Sequence, residues 1–346
     1  MNTTPNAYVP PNDPSQPPSQ PQSPPSAPRS SFHWVFFGPD GLRAGWGLLT
    51  FIAIFAILGF GINFTLRRLG VPRTDPAAEL SPLLGILGEG GSFLLVLLVT
   101  WIMSRIEGRP QSVYGLGGNR RWPQFFAGIG WGFVCLSLLV GTLTYAGFLV
   151  IDRRLLLGSE ILRFGAVWFV GFLMVGLVEE YLTRGYVQYT LTRGLAGLYR
   201  KIFKTAHSAT LGFWTSAILF SFLFGLGHSS NPGESPIGLF SAGLAGLVFC
   251  LSLWRTGSLW WAVGFHASWD WSQSFLYGVA DSGLMVQHRL FATHPVGKPI
   301  LSGGTTGPEG SSFILGIFVL IVLIIFFTLP RGRGYAATLP GNRAEL

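Results

Sequence analysis

Apolar runs of about 20 residues, the length a helix needs to cross a bilayer, recur along this chain and leave little room for a soluble fold. They fall at 45–66, 83–104, 124–150, 164–191, 210–228, 236–254, 258–279 and 312–329. Only 11% of the 346 residues are charged and 49% are hydrophobic, against about 25% charged in an ordinary soluble domain. Too few charges remain to cover a water-facing surface of this size. The pattern predicts an all-α fold: a polytopic transmembrane bundle of about eight helices. The 47 glycines suit it, because small residues let helices approach closely in lipid. The fifth and sixth runs are short and are joined by Ser229, Ser230, Asn231, Pro232 and Gly233.

Composition divides the chain further. Residues 1–30 are rich in Pro, Ser and Gln and nearly free of apolar side chains, so a disordered tail is expected there. The tail lacks the basic start and short apolar centre of a signal peptide, and the first apolar run is expected to stay as an anchor. Residues 31–160 supply N-terminal transmembrane helices, 161–280 hold the chemically informative groups, and 281–346 contain a loop, the last transmembrane helix and a C-terminal tail. The net charge of +8 comes from basic residues spread beside apolar runs, as in loops facing anionic lipid; no nucleic-acid surface is implied. Arg and Lys are more numerous on the side that would hold both termini, which predicts cytoplasmic termini in a plasma membrane. Cys135 and Cys250 each sit inside an apolar run with no CxxC, zinc or disulfide spacing, and are expected to be buried thiols.

Ionisable groups deep in a bilayer cost at least about 2.5 kcal/mol each and are usually functional. The fourth run carries Glu179, Glu180 and Arg184. Glu180 and Arg184 are four apart and share a helix face, so they can pair, for structural support as readily as for chemistry. Glu179 points about 100° away and has no partner on its own helix. The fifth run ends on His228, with Gly225 and Gly227 beside it; the seventh carries His266 and Asp270 on one face. Together Glu179, His228, His266 and Asp270 could hold a divalent metal such as zinc, which accepts nitrogen and oxygen ligands. They could equally hold a water directly, with Glu179 as general base. His33, His207, His288 and His294 fall in the tail or loops, and Glu89, Glu160 and Asp281 fall near span ends or in loops. All of these are expected to be solvated. Trp260, Trp261, Trp269 and Trp271 are expected to serve packing. No phosphate-binding loop, HExxH or GxSxG occurs in a suitable setting.

Taken in order, Glu179 to Arg184 reads EExxxR, Phe224 to His228 reads FxxxH, and His266 to Asp270 reads HxxxN/D. Over roughly 160–280 the chain thereby resembles the CAAX protease and bacteriocin-processing family of intramembrane proteases. That family includes the type II CAAX prenyl endopeptidases, the lysostaphin resistance protein A-like proteins and relatives linked to bacteriocin immunity. The resemblance implies a hydrolase, of metalloprotease or glutamate type, that cuts a membrane-associated protein or peptide. It gives Glu179 the role of general base, with Glu180 and Arg184 buttressing it. His228 and His266 would position water or bind metal, the latter with the residue at 270. The family's last position is often Asn; an ionised Asp270 can ligate a cation but cannot donate to an oxyanion. Two other functions use the same residues: an ion-coupled transporter relaying protons through the carboxylates, and a non-catalytic immunity or scaffold protein on the same fold.

Depth poses a difficulty. Counted along ideal helices, Glu179 and His266 reach similar levels, while His228 lies roughly 10–15 Å too high. Either the fifth span is set lower than its run suggests, or the loop after His228 re-enters.

Overall fold

The computed structural model describes residues 33–71, 78–118, 120–330, 334, 335 and 339. The Pro-rich 1–30 segment lies outside the described residues. Helices occupy all eight places expected from the apolar runs: α1 (Ala44–Arg68), α2 (Pro82–Glu107), α3 (Arg121–Tyr145), α4 (Ser159–Phe203), α5 (Ser208–Gly227), α6 (Pro236–Thr256), α7 (Trp260–Asp270) and α8 (Ile314–Thr328). The first six are long and apolar enough to cross a membrane, which makes this an integral membrane protein. The fifth and sixth are full crossings, although their runs are short. The seventh and eighth are the short ones, at 11 and 15 residues. Local signals set several ends. Both α2 and α6 start on a serine whose hydroxyl accepts a backbone N–H, with proline next, and both stop at a left-handed glycine, Gly108 and Gly257.

Three departures from the expected spans matter. The third helix stops at Tyr145, not 150, because Gly147 turns the chain at φ +77°. The chain then enters strand β1 (Leu149–Arg154), which pairs antiparallel with β2 (Phe291–Pro295). The fourth helix runs on to Phe203, twelve residues past its expected end, through a π-helical stretch at Tyr181–Val187. The seventh continues from Asp270 into a second π-helical stretch, Trp271–Leu276. Both segments holding the singled-out acids thus leave regular α-geometry immediately after them, a distortion frequent at functional sites.

Packing around the site relies on glycine. A Cβ at Gly128 or Gly132 of α3 would collide with the Trp261 or Phe265 carbonyl of α7. At Gly176 it would sit 3.2 Å from the Val263 carbonyl oxygen and 3.5 Å from the His266 Cβ. Helix α7 is therefore clamped between α3 and α4 at backbone distance, which fixes His266 relative to Glu179 and Glu180.

The long fourth helix also removes the depth difficulty. The chain continues past Glu179 to Phe203 through a kink at Gly185 before α5 turns back, and His228 lines the same cavity as Glu179. The fifth helix is set lower than its run suggests, and His228 returns to the level of Glu179.

Candidate active site

Glu180 sits at the centre of the buried polar groups. Its side chain is fully buried, and Arg184 Nη1 donates to its Oε1 at 2.6 Å. The same oxygen accepts from His266 Nδ1 at 3.0 Å. Arg184 is enclosed as well. Its Nε donates to the Gly246 carbonyl at 3.2 Å, and its guanidinium lies over the rings of Phe224 (4.8 Å) and Phe249 (5.4 Å). A cation held by a carboxylate, a carbonyl and two aromatic faces is compensated in the way a low-dielectric interior demands.

Glu179 is treated differently. Its side chain is 30% exposed, against none for Glu180, and the surface it exposes faces a cavity of about 570 Å³. His266 Nε2 lies 3.6 Å from Glu179 Oε2 and 3.5 Å from Asp270 Oδ2. With Nδ1 donating to Glu180, Nε2 is the ring atom turned to these two carboxylates. His228, in a 3₁₀ turn just past α5, engages the Phe224 carbonyl through Nδ1 at 2.8 Å. A carbonyl can only accept, so Nδ1 carries the proton and Nε2 keeps a lone pair. Phe224 therefore does two things: its backbone orients His228 and its ring covers Arg184.

Glu179, His228, His266 and Asp270 line this one cavity, while Glu180 and Arg184 stand behind it. The donor types suit zinc. Among the described residues, however, no three His, Cys, Asp or Glu side chains converge closely enough to hold a metal ion as they stand.

The cavity also contains two groups expected to be merely solvated, Glu89 of α2 and Asp281. A third acid, Glu309, which the sequence did not single out, lines it with Asp281 from the segment between α7 and α8. Trp269 Nε1 donates to Glu309 Oε1 at 2.7 Å, and the Ser274 hydroxyl donates to Asp281 Oδ2 at 3.1 Å. Burial, reinforced by the charges of Asp270 and Glu309, holds the Asp281 carboxyl well above its ordinary range. No spacing signal marks these residues, because they reach the site through tertiary folding alone. Two of the other histidines are also organised: His294 Nδ1 lies 2.8 Å from Asp152 Oδ2, and His288 stacks on Phe164 at 4.0 Å. Neither lines the cavity.

The fold and the site together define a polytopic helical membrane protein with a carboxylate–histidine–arginine centre beside a cavity. Residues 162–272, about a third of the chain, match the family described as type II CAAX prenyl endopeptidase Rce1-like. The match takes in Glu179, Glu180, Arg184, His228, His266 and Asp270 and leaves the first three helices and α8 outside. Neither a search of curated proteins nor one of solved structures returns a significant match.

Proposed function

We propose that the chain is an intramembrane endopeptidase that hydrolyses a peptide bond of a membrane-associated protein, with Glu179 as general base. The observation that carries this reading is the division of labour between adjacent glutamates. Glu180 is occupied by Arg184 and His266, whereas Glu179 keeps surface on the cavity beside a histidine nitrogen. A carboxylate so placed can accept a proton from a cavity water as the water oxygen bonds to the scissile carbonyl carbon. The tetrahedral oxyanion formed needs donors within the site. His266 Nε2 supplies one when it is protonated, a state that Glu179 and Asp270 favour by their proximity. Glu179 then passes its proton to the amide nitrogen, the C–N bond breaks, and a carboxylic acid and an amine leave. Glu180 and Arg184 position His266, and the Phe224 carbonyl positions His228 so that its Nε2 lone pair can accept from the water.

A divalent ion, zinc for instance, remains a further element of the proposal at Glu179, His228, His266 and Asp270. The excess of Arg and Lys on one side supports a plasma-membrane setting with cytoplasmic termini. The test is cleavage of a peptide library in detergent or proteoliposomes by wild type and Glu179→Gln, with and without chelator and added zinc. Glu179→Gln is expected to lose at least roughly a hundredfold in kcat, the low end of a general base's contribution. Cleavage surviving in that variant removes Glu179 from the role. A folded wild type that cuts nothing returns the reading to the transporter or scaffold functions. The chelator arm decides the metal.

A further inference from the structure

The cavity has an acidic wall with no fixed positive charge. Glu89, Asp281 and Glu309 join Glu179 and Asp270 on it, and among the described residues lining it there is no lysine or arginine. The hydrogen-bond partners of the two outer acids are neutral. Glu309 accepts from the Trp269 indole at 2.7 Å and the Ser282 hydroxyl at 3.3 Å, and Asp281 accepts from the Ser274 hydroxyl. Such donors satisfy lone pairs but supply no counter-ion, so either acid becomes charged only at a cost that a bound cation would offset. Glu180, by contrast, is matched by its arginine. A separate observation concerns another wall of the same cavity. The side chain of Ser241 on α6 lines it, Ser241 is only 2% exposed, and its hydroxyl has no hydrogen-bond partner. A buried hydroxyl left unpaired at a cavity awaits a polar ligand group. Glu89, Asp281 and Glu309 all lie outside the 162–272 segment that matches the protease family, so this charge pattern belongs to the chain's own additions to that domain.

We propose that the cavity selects a substrate segment bearing a guanidinium or ammonium side chain, which Glu309 and Asp281 hold beside the reacting carbonyl. This rests on the endopeptidase reading and gives it a substrate class: a membrane-associated segment with an arginine or lysine close to the scissile bond. Glu309 and Asp281 are the specificity-determining residues, since their carboxylates balance the cation, and the apolar side of the cavity takes the flanking residues. The same field disfavours an acidic side chain at that place.

The experiment separates binding from cleavage by using the full chain carrying Glu179→Gln, in detergent with chelator present. Fluorescence anisotropy compares a labelled apolar peptide containing one arginine with the same peptide carrying citrulline, arginine's neutral near-isostere. The arginine peptide is expected to bind roughly tenfold tighter, with the advantage shrinking as salt rises. Glu309→Gln and Asp281→Asn, singly and together, are expected to abolish the advantage while leaving citrulline-peptide affinity within about twofold. Equal affinity for the two peptides, no binding of either by folded protein, or an advantage that survives the double substitution overturns the proposal. The ratio measured before Glu309 and Asp281 are altered decides the matter even if a variant misfolds. Because no cleavage is needed, failure here is distinct from failure of Glu179 as the base.

Discussion

Removing the Glu180 carboxylate would leave the Arg184 guanidinium buried against Phe224 and Phe249 without a counter-charge. Glu180→Ala is therefore expected to destabilise the protein by about 3–5 kcal/mol, the cost of breaking a buried ion pair from one side, read as a lowered Tm in detergent. Glu180→Gln keeps an acceptor for His266 and should lose less stability while still losing activity, because the amide cannot balance Arg184. Phe224→Leu preserves the backbone carbonyl that orients His228 and removes one aromatic face from Arg184. A loss of about 2 kcal/mol or less, the scale of a desolvated cation–π contact, is expected in the same assay. At this scale the sequence was informative. The spacing of Glu180 with Arg184 and of His266 with Asp270 follows from the helical repeat, and both pairs are present. The contact of His266 with Glu180 was not legible, because it joins residues 86 positions apart on two helices.

The glycines of α3 make the packing argument testable one helix at a time. Gly132 faces the α7 backbone so closely that a Cβ would meet the Phe265 carbonyl, whereas a Cβ at Gly130 meets nothing within 4 Å. Gly132→Val is expected to push α3 and α7 apart, with a strongly lowered Tm and lost activity. Gly130→Val should be tolerated within about 1 kcal/mol, the usual range for a substitution away from packed features. Equal effects of the two would contradict the clamp. The helices themselves were readable as apolar runs, to within a few residues at most ends. Two things escaped: the continuation of α4 to Phe203 and the π-helical stretches after Glu180 and Asp270. Residues 192–204 are mixed in polarity and carry Arg193, Arg200, Lys201 and Lys204, so a hydrophobic-run reading stops before them. A π-turn leaves no mark in hydropathy, since one extra residue per turn alters direction more than composition.

For the whole molecule, orientation is the property that the charge distribution proposes and a labelling experiment decides. Cys135 and Cys250 are buried, so a membrane-impermeant thiol reagent should report introduced cysteines alone. Lys204 and Lys298 are both exposed and fall on opposite sides of the proposed arrangement. Lys298→Cys should label in intact cells, and Lys204→Cys only after permeabilisation. The reverse pattern would invert the topology and place the β1–β2 pair in the cytoplasm.

The sequence by itself determined that this chain lies in a membrane, where most of its helices begin and end to within a few residues, and which acids and histidines are candidates for the chemistry. Those properties depend on hydropathy and on the 3.6-residue repeat, both local. Tertiary structure decided which glutamate faces the cavity, how His228 reaches the level of Glu179, and that Glu89, Asp281 and Glu309 share its wall. Those properties depend on how far helices approach one another and where long segments return. Glycine contacts and the length of α4 set both, and no residue pattern within a single helix encodes them.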